Sequence, residues 1–304
     1  MMKLTRRELF NRFGILSALF AAPRWLGAFT APKKQRRLVI LHTNDTHSQI
    51  DPLPANHNKY PNQGGIAARA SVIEKYRQNN EHVLLLDAGD FFQGTPYFNR
   101  FHGVLEMKLM SALGYDVVTL GNHDFDIGID GFMKAQQHAN FSFVNANYDF
   151  GTTALNQVVK PFQILKKGPF KIGVFGIGID LNGLVAAPNF EGLNFKDPFE
   201  SAKEAVAALQ KVNCDLIICL SHLGFDYPDK AKPSDLILAQ KVAGIDLILG
   251  GHTHTFMDAP AKVQNPEGKE VWIHQVGWAG VRMGVIEVTE QRFHFSQEQI
   301  NEQK

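Results

Sequence analysis

Residues 122–126 place an amide, an imidazole and two carboxylates within five positions, Asn122-His123-Asp124-Phe125-Asp126. The β-branched run at 115–118 predicts a strand directly before them, and Gly128 and Gly131 introduce a helical pattern after them. Open α/β sheets hold their ligands where a buried strand ends. Asn, Asp and Gly are also ordinary turn residues, so this stretch alone would indicate only a turn.

Four more predicted strands end in side chains of the same kind. Their apolar runs lie at 37–41, 82–86, 215–219 and 245–249. The polar side chains at the five strand ends are Asp45, His47, Asp90, Asn122, His123, His222, His252 and His254. Imidazole and carboxylate ligands without thiolate suit divalent ions such as Zn²⁺, Mn²⁺, Co²⁺ or Fe²⁺. This set contains more ligands than one ion can bind. Two ions that share one carboxylate form the kind of site that enzymes use for in-line displacement at phosphorus.

The elements that must position these side chains alternate between strand and helix, which predicts an α/β fold. The predicted helices cover 64–79, 106–113, 197–212 and 236–242. Asp197 is a good start for the third helix, because it can cap the helix and Pro198 occupies the first helical position. Asp45 and His47 are two apart, so in extended chain they would point the same way. Residues 296–304 predict a polar, frayed C-terminal tail.

The motifs at the strand ends resemble those of the calcineurin-like metallophosphoesterases. The motifs that carry the resemblance are Asp45-x-His47, Gly89-Asp90, Gly121-Asn122-His123-Asp124, His222 and Gly251-His252-x-His254. Further segments are similar to the 5′-nucleotidase branch, namely residues 43–48, Gly64-Gly65, Gly94-Thr95-Pro96 and residues 122–126. The resemblance covers residues 36–295 and implies one catalytic domain, a four-layer α-β-β-α sandwich of two mixed sheets flanked by helices. It also implies metal-dependent phosphoric ester hydrolysis.

The resemblance further implies a role for each residue of the site. One ion is held by Asp45, His47, Asp90 and His254, and the other by Asp90, Asn122, His222 and His252, so that Asp90 bridges them. A water bridging both ions, and acidified by them, is the nucleophile. His123 is not a ligand in the family, but stabilises the transition state or protonates the leaving oxygen, and Asp126 orients it.

Full-length 5′-nucleotidases of this branch carry a second, C-terminal domain that binds the base and the phosphate, and this sequence stops where that domain should begin. The expected function is therefore a 5′-nucleotidase-like phosphomonoesterase acting on a small-molecule phosphoester, with nucleotide specificity inherited from the family alone. Alternatives are a 2′,3′-cyclic nucleotide phosphodiesterase, hydrolysis of a sulfur ester, or a catalytic half that works with a separately encoded substrate-binding protein. Candidate substrate contacts are Phe91, Phe92, Gln93 and Asn182, although core packing is favoured for at least one of Phe91 and Phe92.

The N-terminal segment predicts export. Arg6-Arg7 precedes a moderately apolar run at 13–29, which is typical of a twin-arginine signal over residues 1–31 and of a periplasmic or other extracytoplasmic protein. Arg24 interrupts this short run, so no stable membrane span is expected. The formal net charge of +1 gives no reason to expect a nucleic-acid partner. Cys214 and Cys219 lie at odd spacing along one strand, so no disulfide between them is expected.

Overall fold

Fifteen strands run through the described part of the chain, residues 36–289 and 292–301 of a computed structural model. In chain order they are β1 (Arg37–Thr43), β2 (Val83–Asp87), β3 (Val117–Thr119), β4 (Ser142–Val144), β5 (Tyr148–Asp149), β6 (Val159–Lys160), β7 (Phe162–Lys167), β8 (Phe170–Gly178), β9 (Asn194–Phe195), β10 (Leu216–His222), β11 (Leu247–Gly250), β12 (Ala261–Gln264), β13 (Glu270–His274), β14 (Arg282–Thr289) and β15 (Arg292–Gln299).

Thirteen of these strands form two mixed sheets. The first sheet has the order β15-β14-β1-β2-β3-β4-β6, and its strands from β1 to β6 are parallel, whereas β14 and β15 are antiparallel to their neighbours. The second sheet has the order β12-β13-β11-β10-β8-β7, with a parallel centre and an antiparallel strand at each edge. The two short strands β5 and β9 pair with each other.

Within residues 36–289 and 292–301, six helices cover the outer faces of the sheets. They are α1 (Ile66–Asn79), α2 (Pro96–Phe101), α3 (Val104–Leu113), α4 (Gly128–Gln136), α5 (Pro198–Lys211) and α6 (Asp235–Lys241). The four predicted helices agree with the structure to within two residues at each end, and α2 was not predicted. As predicted, α5 is capped by Asp197, whose Oδ1 accepts hydrogen bonds from the backbone N–H groups of Phe199 and Glu200. Such a cap stabilises a helix by roughly 1 kcal/mol.

Three apolar layers separate the sheets and helices, and β1 shows how the sequence builds them. Leu38 and Ile40 face the second sheet, whereas Val39 and Leu41 on the opposite face pack with the helices α1 and α3. Because side chains alternate along a strand, an unbroken apolar run buries both faces. A third layer lies between the second sheet and the helices α5 and α6. The predicted α/β class and the four-layer sandwich of two mixed sheets are therefore confirmed.

The predicted frayed tail is wrong for the described residues after 295. Strand β15 continues to Gln299 in antiparallel register with β14. Ile300 is fully buried, and its backbone oxygen accepts a hydrogen bond from Gly64. Residues 296–299 of this edge strand are all polar, and composition alone does not distinguish such a stretch from a tail. The predicted export signal at 1–31 lies outside the described residues.

Cys214 and Cys219 are both free thiols, as expected. In the described ranges, no helix has the length and apolar character needed to cross a membrane.

Candidate metal centre

The turns after three strands carry predicted ligands in a left-handed backbone conformation. Positive φ angles occur at Asp45, His47, Asp90, His252 and His254, with values between 46° and 72°. Non-glycine residues rarely adopt such angles, and they persist only where the surroundings enforce them. The expectation that Asp45 and His47 converge because they lie in extended chain is wrong. Their side chains meet because the turn after β1 curls in the left-handed sense.

One cluster of candidate ligands consists of Asp45, His47 and His254, whose ligand atoms all lie within 4.8 Å of one another. The Nε2 atoms of His47 and His254 are 3.0 Å apart, and Nε2 of His254 is 3.4 Å from Oδ1 of Asp45. Two imidazole nitrogens that face each other can share at most one proton. A cation next to the carboxylate satisfies both lone pairs, so this arrangement fits a metal ion.

A second cluster consists of Asp90, His222 and His252. Nδ1 of the fully buried His222 donates to the backbone oxygen of Ala88 at 2.7 Å. Nε2 of His222 has no hydrogen-bond partner in the described structure, although Oδ2 of Asp90 is only 3.0 Å away. A histidine whose Nδ1 is held by a carbonyl oxygen presents Nε2 to a metal. A buried nitrogen that faces a carboxylate oxygen without a regular hydrogen bond fits a metal ion shared by the two groups.

The electrostatics of the clusters favour positive charge between the ligands. Burial would lower the pKa of His222, but the carboxylates of Asp90 and Asp45 raise it to about 10. Burial would raise the pKa of Asp90, yet His222 and His47 hold it below the usual range. Burial is the main cause of the lowered pKa of His47 and of His252, the latter to about 4, so these rings are neutral at pH 7. Metal ligands require neutral imidazole and ionised carboxylate, so a bound ion would have to displace the proton that His222 carries at pH 7.

Asp90 and Asp45 connect the two clusters. Oδ2 of Asp90 lies 3.0 Å from Nε2 of His222 and 4.0 Å from Nε2 of His47, which belongs to the other cluster. The backbone N–H of His252 donates to both carboxylate oxygens of Asp45. Asn122 joins the second cluster, since its Oδ1 is 2.8 Å from Nδ1 of His252. All seven predicted ligands are thus brought to one place.

A buried carboxylate that was not assigned a role from sequence holds two of these turns together. Oδ1 of Asp124 accepts hydrogen bonds from the backbone N–H groups of Phe91 and Phe92, and Oδ2 accepts from those of Asp90 and Gly121. Four donors fill the acceptor positions of one carboxylate, so the turns after β2 and β3 are locked to each other. Gly121 is required here, because a Cβ atom would collide with Oδ1 of Asp90.

The predicted pair His123 and Asp126 is formed at the edge of the clusters. Nδ1 of His123 is 2.8 Å from Oδ2 of Asp126, and the backbone N–H of His123 donates to Oδ1 of Asp90. The hydrogen bond with Asp126 raises the pKa of His123, against the effect of burial. The ring of His123 lies 5.4 Å from that of His47, and one third of its side chain is exposed. His123 is therefore placed beside the clusters and not within them.

Two of the predicted substrate contacts are wrong. Phe91 and Phe92 are 1% and 0% exposed, and their rings pack edge to face at 4.8 Å in the layer beneath the helices. Gln93 is half-buried, and Asn182 is exposed with its side chain hydrogen-bonded to Asp180. Substrate contact by Gln93 and Asn182 stays a prediction.

Comparison with known proteins agrees with this geometry. The family model described as calcineurin-like phosphoesterase matches residues 38–256. A snake venom 5′-nucleotidase from Gloydius brevicauda is 33% identical over 293 residues, which is 90% of this chain and 48% of the relative. A 5′-nucleotidase from Bos taurus is 34% identical over 255 residues, 81% of this chain and 42% of the relative.

Among solved structures, a 5′-nucleotidase precursor from Thermus thermophilus superposes with a TM-score of 0.78 and 32% identity, over 88% of this chain and 54% of that one. The chain thus spans about half the length of these relatives. The matched region contains all seven candidate ligands as well as His123 and Asp126. The chain therefore belongs to the calcineurin-like phosphoesterase family.

Proposed function

We propose that the protein is an exported hydrolase of phosphoric esters that works with two divalent metal ions, and that it acts as a 5′-nucleotidase-like phosphomonoesterase. The observation that carries this proposal is the pair of ligand clusters with Asp90 between them. Relatives named 5′-nucleotidase support nucleotides as the substrate class.

In this proposal one ion is held by Asp45, His47, Asp90 and His254, and the other by Asp90, Asn122, His222 and His252. When bound, such ions acidify water and stabilise charge on a phosphoryl group. The metal identity stays open among Zn²⁺, Mn²⁺, Co²⁺ and Fe²⁺, because a set of oxygen and imidazole ligands accommodates each of them.

The remaining chemistry belongs to His123 and Asp126. Asp126 accepts the Nδ1 proton of His123 and thereby fixes the orientation of the ring. The protonated ring, favoured by Asp126 and Asp90, supplies a proton to the leaving ester oxygen or stabilises the transition state. The hydrogen bond from the backbone N–H of His123 to Asp90 keeps this acid at a constant position relative to the bridging carboxylate.

A phosphate-release screen tests the substrate class. Nucleoside 5′-monophosphates, 2′,3′-cyclic nucleotides and sugar phosphates are each supplied with Mn²⁺, Zn²⁺ or Co²⁺. The proposal expects fastest release from the 5′-monophosphates. Preference for the cyclic nucleotides would make the protein a phosphodiesterase instead, and release from none of them would contradict both.

A catalytic half that binds a separate protein is the second candidate, because the chain spans about half the length of its relatives. That candidate expects slow nucleotide turnover by the chain alone. It also expects co-purification of a protein that resembles the part of the relatives that this sequence does not match. Efficient turnover by the isolated chain would contradict it.

Export by the twin-arginine route is proposed from Arg6 and Arg7. This route carries folded proteins, so the metal site would be loaded in the cytoplasm before export. A weakly binding ion such as Mn²⁺ would then be in place before the protein meets Zn²⁺ or Cu²⁺ outside the cytoplasm. The double variant Arg6→Lys, Arg7→Lys should leave active enzyme in the cytoplasm. If fractionation found that variant in the periplasm at the wild-type rate, residues 1–31 would be a general secretory signal.

A further inference from the structure

The connection between β13 and β14 lies against the first ligand cluster. Five of its residues, 275–279, which we name the brace, contact both of the turns that supply this cluster. The brace lies beyond the range 38–256 that the family model matches. The amino-acid pattern of this region indicates only short strands and turns, with no motif to single the brace out.

Three hydrogen bonds tie the brace to the turn after β1. The backbone N–H of Ala279 donates to the backbone oxygen of Asp45 at 2.8 Å. Asn44, the neighbour of that ligand, is held at both ends of its amide, since Oδ1 accepts from the backbone N–H of Val276 and Nδ2 donates to the backbone oxygen of Gly277. The position of Asp45 therefore depends on the brace.

Three more hydrogen bonds tie the brace to the turn after β11, which carries His254. The side chain of Gln275 donates to the backbone oxygen of Gly251 at 2.8 Å and accepts from the backbone N–H of Thr255 at 3.1 Å. The backbone N–H of Gly277 donates to the backbone oxygen of Thr255. One segment thus fixes Asp45 and His254 relative to each other.

Trp278, in the middle of the brace, stacks on the ring of His254. The two ring planes are 17° apart and their centroids are 6.1 Å apart. Trp278 packs against a small apolar cluster that includes Leu53, Phe256 and Val281, which holds the indole in place. The indole therefore presents a fixed flat surface to the imidazole.

His254 has particular need of such support. Its side chain is 41% exposed, whereas the side chain of His47 in the same cluster is only 10% exposed. Nδ1 of His47 and Nδ1 of His222 each lie within hydrogen-bond distance of a backbone oxygen. In the described ranges, Nδ1 of His254 makes no such bond, and the ring contacts His47 and Asp45 through Nε2. Ligand histidines are normally oriented by a hydrogen bond at the second nitrogen.

We propose that the brace sets the geometry of the Asp45, His47 and His254 cluster, and that Trp278 is a positioning residue that orients the ring of His254 by stacking. Trp278 takes the part that a hydrogen bond to a backbone oxygen plays for His47 and His222. The inference rests on the proposed two-metal function and deepens it, because it makes Trp278 a determinant of the affinity of the protein for one of the two ions.

The variants Trp278→Ala and Trp278→Phe test this proposal, with Trp272→Ala as the matched control. Trp272 is another partly buried tryptophan, on β13, and it packs on Phe295 and Phe293. Each metal-free protein is titrated with Mn²⁺ by calorimetry, and the spin coupling of the bound ions is followed by electron paramagnetic resonance. Support lost from around a ligand typically weakens metal binding by roughly 10–100-fold.

Trp278→Ala should weaken the binding of one ion by that factor and leave the other ion bound with close to its wild-type affinity. It should also reduce the spin-coupled signal. Trp278→Phe should recover most of the loss, since it retains a ring, and Trp272→Ala should bind both ions as the wild type does. Equal affinities in Trp278→Ala and the wild type, or an equal loss of both ions, would overturn the role of Trp278. Fewer than two ions in the wild type would instead overturn the proposed two-metal function.

Discussion

A buried histidine pair that bridges the two sheets should make the fold sensitive to acid. Nε2 of His42 on β1 lies 2.8 Å from Nδ1 of His274 on β13. The two residues are 0% and 2% exposed, and Gly284 on β14 leaves room for the ring of His42, because a Cβ atom there would collide with it. One of the two facing nitrogens donates a proton to the other, and burial disfavours a charge on either ring.

The magnitude follows from the lowered pKa values. Burial is the main cause that lowers the pKa of His274 from 6.5 to about 4, and burial together with His274 lowers that of His42. As the pH falls, His274 binds a proton in the unfolded chain at a higher pH than in the folded chain. The contribution of neutral His274 to the free energy of unfolding is therefore complete above pH 6.5 and is lost as the pH falls towards 4. At about 1.4 kcal/mol per pKa unit, the loss from His274 alone is roughly 2 kcal/mol by pH 5 and roughly 3 kcal/mol by pH 4.

Urea denaturation between pH 7 and pH 4 of the wild type and His274→Gln measures this loss. Excess chelator is present throughout, so that release of metal in acid does not add to the slope. The variant should be less stable at pH 7, and its deficit should shrink by roughly 2 kcal/mol by pH 5, because it has no imidazole at 274 to protonate. His294→Gln, at an exposed position of β15, is the control and should follow the wild type. Parallel curves for the wild type and His274→Gln would refute the reasoning.

The remaining predictions concern the metal centre. His123→Ala should keep both metals and lower kcat by roughly 10²–10⁴-fold, and Asp126→Asn should show a weaker form of this loss; loss of metal in His123→Ala would make His123 a ligand. Gly121→Ala should displace the carboxylate of Asp90 and lower the metal content measured by mass spectrometry, whereas Gly183→Ala, where φ is +80° and a Cβ atom meets nothing within 4 Å, is the control that adds backbone strain without a collision. Equal metal content in the two variants would contradict the inference that a side chain at position 121 displaces the carboxylate of Asp90.

Local sequence signals predicted the strand ends and the side chains that follow them. Asp90 and His222 could be placed because apolar runs and the residues after them are neighbours in the chain. Local signals do not tell which sheet a strand joins, and β1 to β3 lie in one sheet whereas β10 and β11 lie in the other. The site therefore forms across the two sheets, which the alternation of strand and helix did not indicate.

Long-range contacts account for the features that the sequence did not reveal. The backbone hydrogen bond between Ala279 and Asp45 joins residues more than two hundred positions apart, so no local sequence pattern predicts it. Phe91 directly follows the predicted ligand Asp90, yet its backbone N–H donates to Asp124 and its ring is buried in the core. Residues 296–299 have the polar composition of a tail, but they pair with β14 as the end of an edge strand.

Metal stoichiometry measured together with activity tests the central claim most directly. The metal-free protein is titrated with Mn²⁺ or Co²⁺, bound ions are counted by equilibrium dialysis, and hydrolysis of 4-nitrophenyl phosphate is followed at each step. This small ester needs no second domain for its recognition. Two ions should bind per chain in the wild type, activity should rise with the second ion, and Asp90→Asn should lose both metal and activity. Full activity with one ion bound, or two ions retained by Asp90→Asn, would contradict a centre in which Asp90 bridges two metals.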